Sequence, residues 1–178
     1  QTLNNLSLMS GNLTLDNNVI LTINGTFDYF QTGAITLGIG SNIVYGSAGT
    51  LRYSGSVTKN AALEEWPVFN GPVNINVNNS SGVSLPFGRT ITGSMVLTTG
   101  TFTIGANVLL DLNGASLSSS GGFIAGNSFI CSTSDLTVRG TTGGIVTIPT
   151  NGNIGLRNVT VGDTRMVALD GTNNLNLS

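Results

Sequence analysis

The acidic and basic side chains set the limits on what chemistry this chain could carry. It has eight acidic residues, six basic residues and no histidine. Without histidine, neither a Ser-His-Asp nor a Cys-His nucleophile can be assembled, and a zinc site is implausible. The tightest acid–base cluster is Asp163-Thr164-Arg165, with Asp170 nearby. Elimination or hydrolysis of a polysaccharide needs such groups on one face, but a solvated turn explains this cluster better. We therefore expect no catalytic residues, no metal site and no cofactor, and the chain is predicted not to be an enzyme.

A second candidate site lies in residues 58–72, which hold the only lysine, the only tryptophan and both glutamates. A tryptophan on a loop beside carboxylates could stack on a sugar ring, so Trp66, Glu64 and Glu65 are the predicted ligand-binding residues. The alternative is that Trp66 folds back over the core and anchors this segment. We expect a loop that leaves the surrounding structure, with a short turn at Ala61–Glu65.

Two further residue types could carry chemistry. The single cysteine, Cys131, lies in an apolar run and is predicted to be a buried packing thiol rather than a reactive one. Threonines between apolar neighbours could form a flat array that binds ice or crystalline polysaccharide. However, they fall on different sides of the coil, and threonine is also an ordinary solvent-facing residue of strands. These threonines are Thr14, Thr36, Thr103, Thr137, Thr147 and Thr160.

Composition excludes several broad classes of protein. Charged residues make up 8% of the chain and the net charge is −2. Disordered chains are richer in charge and poorer in branched apolar residues. No unbroken apolar stretch reaches the roughly 18 residues of a membrane-spanning helix. The basic residues are scattered, so a nucleic-acid partner is not expected.

Short apolar triplets with a polar centre indicate β-strands. They include LSL at 6–8, LTL at 13–15, FTI at 102–104 and VTV at 159–161. Alternation with a period of two is typical of strands. Glycine and asparagine turns separate the triplets. No helical period is present, so the sequence predicts an all-β chain.

Strands this short bury only about two side chains each, and stacked coils are the arrangement that covers them. Three strands per coil require about 20–22 residues, which predicts a right-handed parallel β-helix, or β-solenoid, of about eight coils. The predicted inward residues of the first half are Leu6, Leu8, Leu13, Leu15, Val19, Leu21, Ile23, Ile35, Leu37, Ile43, Tyr45, Leu51 and Tyr53. Those of the second half are Met95, Leu97, Phe102, Ile104, Val108, Leu110, Leu112, Phe129, Cys131, Leu136 and Val138.

The chain also contains an internal duplication. Residues 4–25 align with residues 93–114 without a gap, so that Leu8 falls on Leu97. The offset of about 89 residues is close to half of the chain. Asparagines recur at the corners of both copies, where they could stack into amide ladders or adopt left-handed turn geometry. These corner residues are Asn18, Asn24, Asn107 and Asn113.

The duplication predicts the domain organisation. We expect a single β-solenoid over residues 1–178, built from two tandem units at about 1–89 and 90–178. The segment near 58–72 is a loop insertion in the first unit.

Four stretches resemble a known group of proteins. They are Leu51–Ser54, Glu65–Pro67, Asn70–Leu85 and Met95–Gly114. They are similar to the repeat regions of large secreted surface proteins of Bacteroidetes and related bacteria, many of which use the type IX secretion pathway. The resemblance implies a right-handed parallel β-helix that serves as a stalk, adhesin or fibre segment, and it brings no catalytic residues.

These observations favour a structural function. Open coil ends expose unpaired strand edges, and no polar capping helix is evident. We therefore expect stacking, either head to tail between copies or on further repeats of a longer chain. The leading hypothesis is a non-enzymatic extracellular rod, stalk or filament subunit at the cell surface, with an adhesive role as an extension. The alternatives are a carbohydrate-binding module that recognises surface glycans and a polysaccharide-active β-helix enzyme.

Overall fold

The computed structural model is built from β-strands, with no helix among the residues it describes. The structure describes residues 1–119, 122–126, 135–141, 145–149, 154–156, 158–170 and 175–177. All strand pairings in these ranges are parallel. The predicted all-β, parallel β-solenoid is therefore confirmed. Within the same ranges, no helix is long and apolar enough to cross a membrane.

The strands are numbered in chain order. They are β1 (Thr2–Leu3), β2 (Leu6–Leu15), β3 (Ile20–Ile23), β4 (Thr26–Leu37), β5 (Asn42–Tyr45), β6 (Thr50–Gly55), β7 (Lys59–Asn60), β8 (Asn74–Asn79), β9 (Val83–Leu85), β10 (Arg89–Ile91), β11 (Ser94–Ile104), β12 (Leu109–Asn113), β13 (Ser116–Ser119), β14 (Gly122–Gly126), β15 (Asp135–Arg139), β16 (Ile145–Pro149), β17 (Ile154–Leu156), β18 (Asn158–Val161), β19 (Met166–Asp170) and β20 (Leu175–Leu177).

These strands form three ladders along the solenoid axis. The first ladder is β1-β3-β5 and, beyond a break, β10-β12-β15-β18. The second ladder is continuous through β2, β4, β6, β8, β11 and β13. The third runs through the second halves of β2 and β4, breaks, and continues through β7, β9, β11 and β14. Two short pairs, β16-β19 and β17-β20, follow.

The second ladder shows how the turns stack. In register, Leu6 pairs with Phe27, Phe27 with Leu51, Leu51 with Ile75, and Ile75 with Met95. These pairings give turns of 20 to 24 residues. The unbroken ladder accounts for about six turns, against the eight or so predicted for the whole chain.

The core forms because alternate side chains of each strand point inward. In β5, Ile43 and Tyr45 are buried while Asn42 and Val44 are only half-buried. Every predicted inward residue whose burial is described belongs to the core or packs against it. The predictions for Phe129 and Cys131 lie outside the described residues.

Tight corners join the strands, and several hold a left-handed backbone. Asn18 has φ of 60° and Asn107 has φ of 59°. Asparagine tolerates this geometry better than most residues. Of the two interpretations of the corner asparagines, the left-handed turn therefore describes Asn18 and Asn107.

Two outward carboxylates are each covered by an arginine from the next turn. Asp28 is buried, accepts a hydrogen bond from the Ser54 hydroxyl at 2.6 Å, and forms an ion pair with Arg52. Asp111 is also buried and accepts hydrogen bonds from Arg139 at 2.7 to 3.1 Å. Both pairs join neighbouring turns on the outside of the solenoid.

Candidate functional site

The segment that connects β7 to β8, residues 61–73, is called the insertion below. It occupies the break in the first ladder, between β5 and β10. The Tyr45 N–H donates to the Asn70 carbonyl at 2.8 Å, and the Gly93 N–H donates to the Val73 carbonyl at 3.0 Å. A turn forms at Leu63–Glu65. The segment predicted to leave the coil therefore folds back against it, and its centre enters the core.

Trp66 anchors the insertion. Its side chain is 1% exposed, and its ring lies 6.5 Å from that of Phe102, tilted by 45°. The Trp66 carbonyl accepts hydrogen bonds from Arg89 Nε at 3.1 Å and Nη2 at 2.6 Å. The indole thus has no free face on which a sugar could stack, and the alternative interpretation, Trp66 folded over the core, describes the structure.

Glu65 also lies inside the solenoid, where it is 1% exposed. Its Oε1 accepts a hydrogen bond from the Ala62 N–H at 2.8 Å and from the Tyr53 hydroxyl at 3.3 Å. The Tyr45 hydroxyl donates to the Glu65 carbonyl oxygen at 2.7 Å. The carboxylate predicted to meet a ligand is therefore used to hold the insertion, while Glu64 remains half-buried at the surface.

Burial strongly perturbs this group of side chains. It raises the pKa of the Glu65 carboxyl to about 7, against the opposing effects of the Ala62 hydrogen bond and the Lys59 charge. Burial, aided by the Glu65 charge, raises the pKa of Tyr29 to about 12. The Lys59 Nζ lies 3.4 Å from the centre of the Tyr29 ring, and burial lowers the pKa of Lys59. A buried ionisable cluster thus occupies the point where two ladders break.

Sequence reasoning missed Arg89 as a partner of the insertion, and it missed the contact of Lys59 with the Tyr29 ring. Arg89 pairs in register with Leu110, whose side chain is buried. An arginine at an inward position of a strand is the sequence signal that could have revealed the break. Its guanidinium also lies 4.0 Å from the centre of the Phe87 ring, which fixes the arginine beside the insertion.

A half-open groove of about 430 Å³ lies between the insertion and β10. One wall is made by residues 66–68 and 70–73, including Val68 and Pro72. The other wall includes Thr90, Thr92 and Leu109. The Asp111 carboxylate in this groove is engaged by Arg139 and by the Thr90 hydroxyl at 3.2 Å, and the Arg89 guanidinium also lines the groove.

The candidate cluster near the C-terminal end is structural. Asp163 accepts a hydrogen bond from the Gly140 N–H at 2.6 Å. Arg165 is buried and donates to the carbonyl oxygens of Arg139 at 3.2 Å and Ala115 at 2.6 Å. The side chain of Asp170 lies outside the described residues. Asp163 and Arg165 therefore bind main-chain groups and hold turns together.

The same described ranges hold neither a metal-binding cluster nor a flat threonine array. They contain no group of three or more His, Cys, Asp or Glu residues that could hold a metal ion. The threonines do not share one face: Thr14 pairs with Thr36 in the third ladder, and Thr137 pairs with Thr160 in the first.

The first and last turns of the first ladder form the remaining candidate site. At the N-terminal tip, Leu3 is 38% exposed, although it pairs with the fully buried Ile23. At the other tip, Val159 is half-buried and pairs with the fully buried Leu136. Among the described residues, the first and last turns of the first ladder therefore bury their inward apolar positions less than the turns between them.

Comparisons with protein-family models, with curated proteins and with solved structures found no match for this chain. The resemblance to bacterial surface-protein repeats therefore stays a prediction.

Proposed function

We propose that this chain is a non-enzymatic structural segment of an extracellular rod at the cell surface, and that parallel strand pairing extends it along its axis. The observation that carries the proposal is that the first and last described turns bury their inward residues less than the turns between them, so that a further turn, from a longer chain or from a second copy, would cover them. Its placement outside the cell rests on the sequence resemblance given above.

The second ladder makes the difference between tip and interior clear. Leu6 of the first turn is only half-buried. Phe27, Leu51, Ile75 and Met95, which follow it in the same inward column, are all fully buried. Covering an apolar side chain contributes about 25 cal/mol per Å² of surface removed from water. A further turn on this tip would therefore be stabilised by the same contacts that stabilise the interior.

The main chain of the first turn also favours the addition of a further turn. Gln1 and Leu3 accept hydrogen bonds from Thr22 and Asn24 of the next turn. Alternate residues of a parallel strand bond to opposite neighbours, so the peptide groups of Thr2 face away from the solenoid. An edge of this kind is a template for another strand.

The charged groups support a structural role over a catalytic one. Asp28 and Asp111 are committed to ion pairs between turns. Glu65 and Arg89 hold the insertion. Each of these groups stabilises the stack itself.

Sedimentation velocity and negative-stain electron microscopy of the purified chain over a range of concentrations test the proposal. We expect rods that lengthen with concentration. Leu6→Lys should abolish them, and so should Thr2→Pro, which removes an outward donor while leaving the bonds of β1 to β3 in place. Ile39→Lys is the matched control, because Ile39 is 83% exposed on a corner. Monomers at every concentration, or rods that Leu6→Lys leaves unchanged, would contradict end-to-end assembly.

A further inference from the structure

Asparagine followed directly by glycine occurs at three places in the part of the chain that the structure describes: Asn24-Gly25, Asn70-Gly71 and Asn113-Gly114. A further pair, Asn151-Gly152, lies outside the described residues. Such a pair is chemically reactive, because glycine has no side chain to shield its own amide nitrogen. That nitrogen can attack the side-chain carbon of the preceding asparagine and close a five-membered ring. The contacts that hold this nitrogen in the fold therefore decide how fast each pair reacts.

Two of the pairs are held inside the stack of turns by their glycine N–H groups. The Gly25 N–H donates to the Asn4 carbonyl at 2.7 Å, and the Gly114 N–H donates to the Arg139 carbonyl at 2.6 Å. The attacking nitrogen must first lose its proton, so a hydrogen bond between turns at that N–H protects the pair. Attack in either pair requires a local opening of two neighbouring turns, which costs free energy.

The asparagine side chains of the same two pairs are also confined. The Oδ1 atom of Asn24 lies against Gly46 of the next turn and leaves no room there for a Cβ. The Oδ1 atom of Asn113 would lie 3.1 Å from a Cβ on Gly140. Both side chains are therefore wedged between turns and are not free to rotate toward the following nitrogen.

The pair Asn70-Gly71 lies on the insertion and lacks both restraints. The Asn70 side chain is exposed, and neither it nor the Gly71 N–H donates a hydrogen bond to any described residue. The peptide between them is held through its oxygen, which accepts from the Tyr45 N–H at 2.8 Å. Because the C=O and N–H of a trans peptide point in opposite directions, the Gly71 N–H faces away from β5. Both residues line the half-open groove, so the pair is accessible to water.

The backbone of Asn70 also favours movement of this peptide. Its φ is 53°, in the left-handed region that most L-residues avoid. Contacts of the insertion, such as the bond from Tyr45, hold this conformation against its local preference. Rotation of the peptide toward the attacking geometry gives up that one main-chain bond, and it also leaves an unfavourable backbone conformation.

We propose that Asn70 is a site of spontaneous deamidation, and that Asn24 and Asn113 are protected from the same reaction. The Gly71 nitrogen loses its proton and forms a bond to the side-chain carbon of Asn70, and the former side-chain nitrogen leaves as ammonia. Water then opens the resulting succinimide at either carbonyl, which yields aspartate or isoaspartate. The net change is the gain of one water and the loss of one ammonia, and no other reactant is needed.

Isoaspartate at position 70 should loosen the insertion from β5. Its main chain runs through the former side-chain carbon, which lengthens the backbone by a methylene. The carbonyl that the Tyr45 N–H uses becomes part of a free carboxylate. The contact between Arg89 and the Trp66 carbonyl is not altered, so the buried end of the insertion stays in place. This chemistry does not depend on end-to-end assembly of the chain.

Peptide mapping by mass spectrometry, on the folded chain kept in mildly alkaline buffer, measures the three rates of deamidation. Asn70 should react at least about tenfold faster than Asn24 or Asn113, because only those two need a prior opening of turns. In NMR spectra the Gly71 amide should exchange its hydrogen faster than the amides of Gly25 and Gly114. The matched control is the same chain unfolded in urea, where the three rates should converge because the restraints of the fold are gone.

Two variants separate the reaction from its consequence. Asn70→Gln should abolish the reaction at this position, because the longer side chain must close a less favourable six-membered ring. Freshly purified Asn70→Asp carries the new charge on an unaltered main chain. Parent chain enriched in isoaspartate should therefore unfold at a lower urea concentration than Asn70→Asp.

Three results would overturn the proposal. The first is equal rates of deamidation at the three asparagines in the folded chain. The second is a rate advantage of Asn70 that persists unchanged in urea, which would assign it to the local sequence rather than to the fold. The third is a Gly71 amide that exchanges as slowly as those of Gly25 and Gly114.

Discussion

Gly11 and Gly100 hold the same left-handed backbone, with φ of 79° and 77°, at matching positions of the two aligned segments. Their surroundings differ. A Cβ built on Gly100 would collide with the carbonyl oxygen of Asn79 in the preceding turn, whereas a Cβ on Gly11 would meet no atom within 4 Å. The same local conformation is therefore covered by a neighbouring turn in one copy and open in the other.

This difference predicts unequal effects of alanine at the two positions. Gly11→Ala should lower the free energy of unfolding by about 1 kcal/mol, the approximate cost of a left-handed backbone for an L-residue. Gly100→Ala should lower it by at least about 3 kcal/mol, because the main chain of an adjacent turn must also move. Urea denaturation followed by circular dichroism measures both. Equal losses would contradict the tight stacking at Gly100.

Glu65 should make stability depend on pH. Its pKa in the folded chain, about 7, lies above the ordinary value of 4.5. The folded chain therefore keeps this proton where the unfolded chain has lost it. The contribution of Glu65 to the free energy of unfolding is therefore fully present below about pH 4.5. It is lost as the pH rises to about 7, which lowers the free energy of unfolding by roughly 3 kcal/mol if this group acts alone. Denaturation midpoints measured from pH 4 to pH 8 give the slope.

Glu65→Gln provides the control for that slope. The amide keeps the size of the side chain and an acceptor for the Ala62 N–H, but it does not titrate. Its stability should be nearly constant across the same pH window. A slope that survives in Glu65→Gln would show that another group is responsible.

Trp66 lies in the buried part of the insertion, and Phe69 lies in its exposed part. Trp66→Ala should cost about 3–5 kcal/mol, as for other large buried aromatic side chains. Phe69 is 79% exposed, so Phe69→Ala should change stability by no more than about 0.5 kcal/mol. Thermal unfolding of both variants against the parent chain makes the comparison. Similar effects would mean that the indole does not anchor the insertion.

The sequence predicts the strands and the core well because the responsible signal is local. Side chains alternate across a strand with a period of two, so a triplet such as Leu13-Thr14-Leu15 carries its own inward pattern. Stacking needs only that each turn bury its apolar pair against the next. Leu51 and Tyr53 could be placed inward in this way without any knowledge of their neighbours.

The insertion could not be predicted in the same way, because its contacts depend on the register between turns. Arg89 meets the Trp66 carbonyl only when two turns are aligned, and the Asp28–Arg52 pair likewise joins residues 24 positions apart. Turn lengths vary from 20 to 24 residues, so spacing alone does not identify partners. Glutamate beside tryptophan therefore predicts a ligand site at the surface, although the insertion in the break of the first ladder buries both Glu65 and Trp66.

Leu6 and Leu51 occupy the same inward column, two turns apart, and this relation tests axial assembly. Leu51 is fully buried, so Leu51→Ala should cost about 2–5 kcal/mol at any protein concentration. Leu6 is half-buried, so Leu6→Ala should cost less in dilute solution. If a second copy covers the tip, the cost of Leu6→Ala should rise with concentration, because assembly stabilises the folded state by mass action. Denaturation curves at micromolar and at near-millimolar protein measure the change. A cost for Leu6→Ala that does not depend on concentration would mean that the tip stays uncovered.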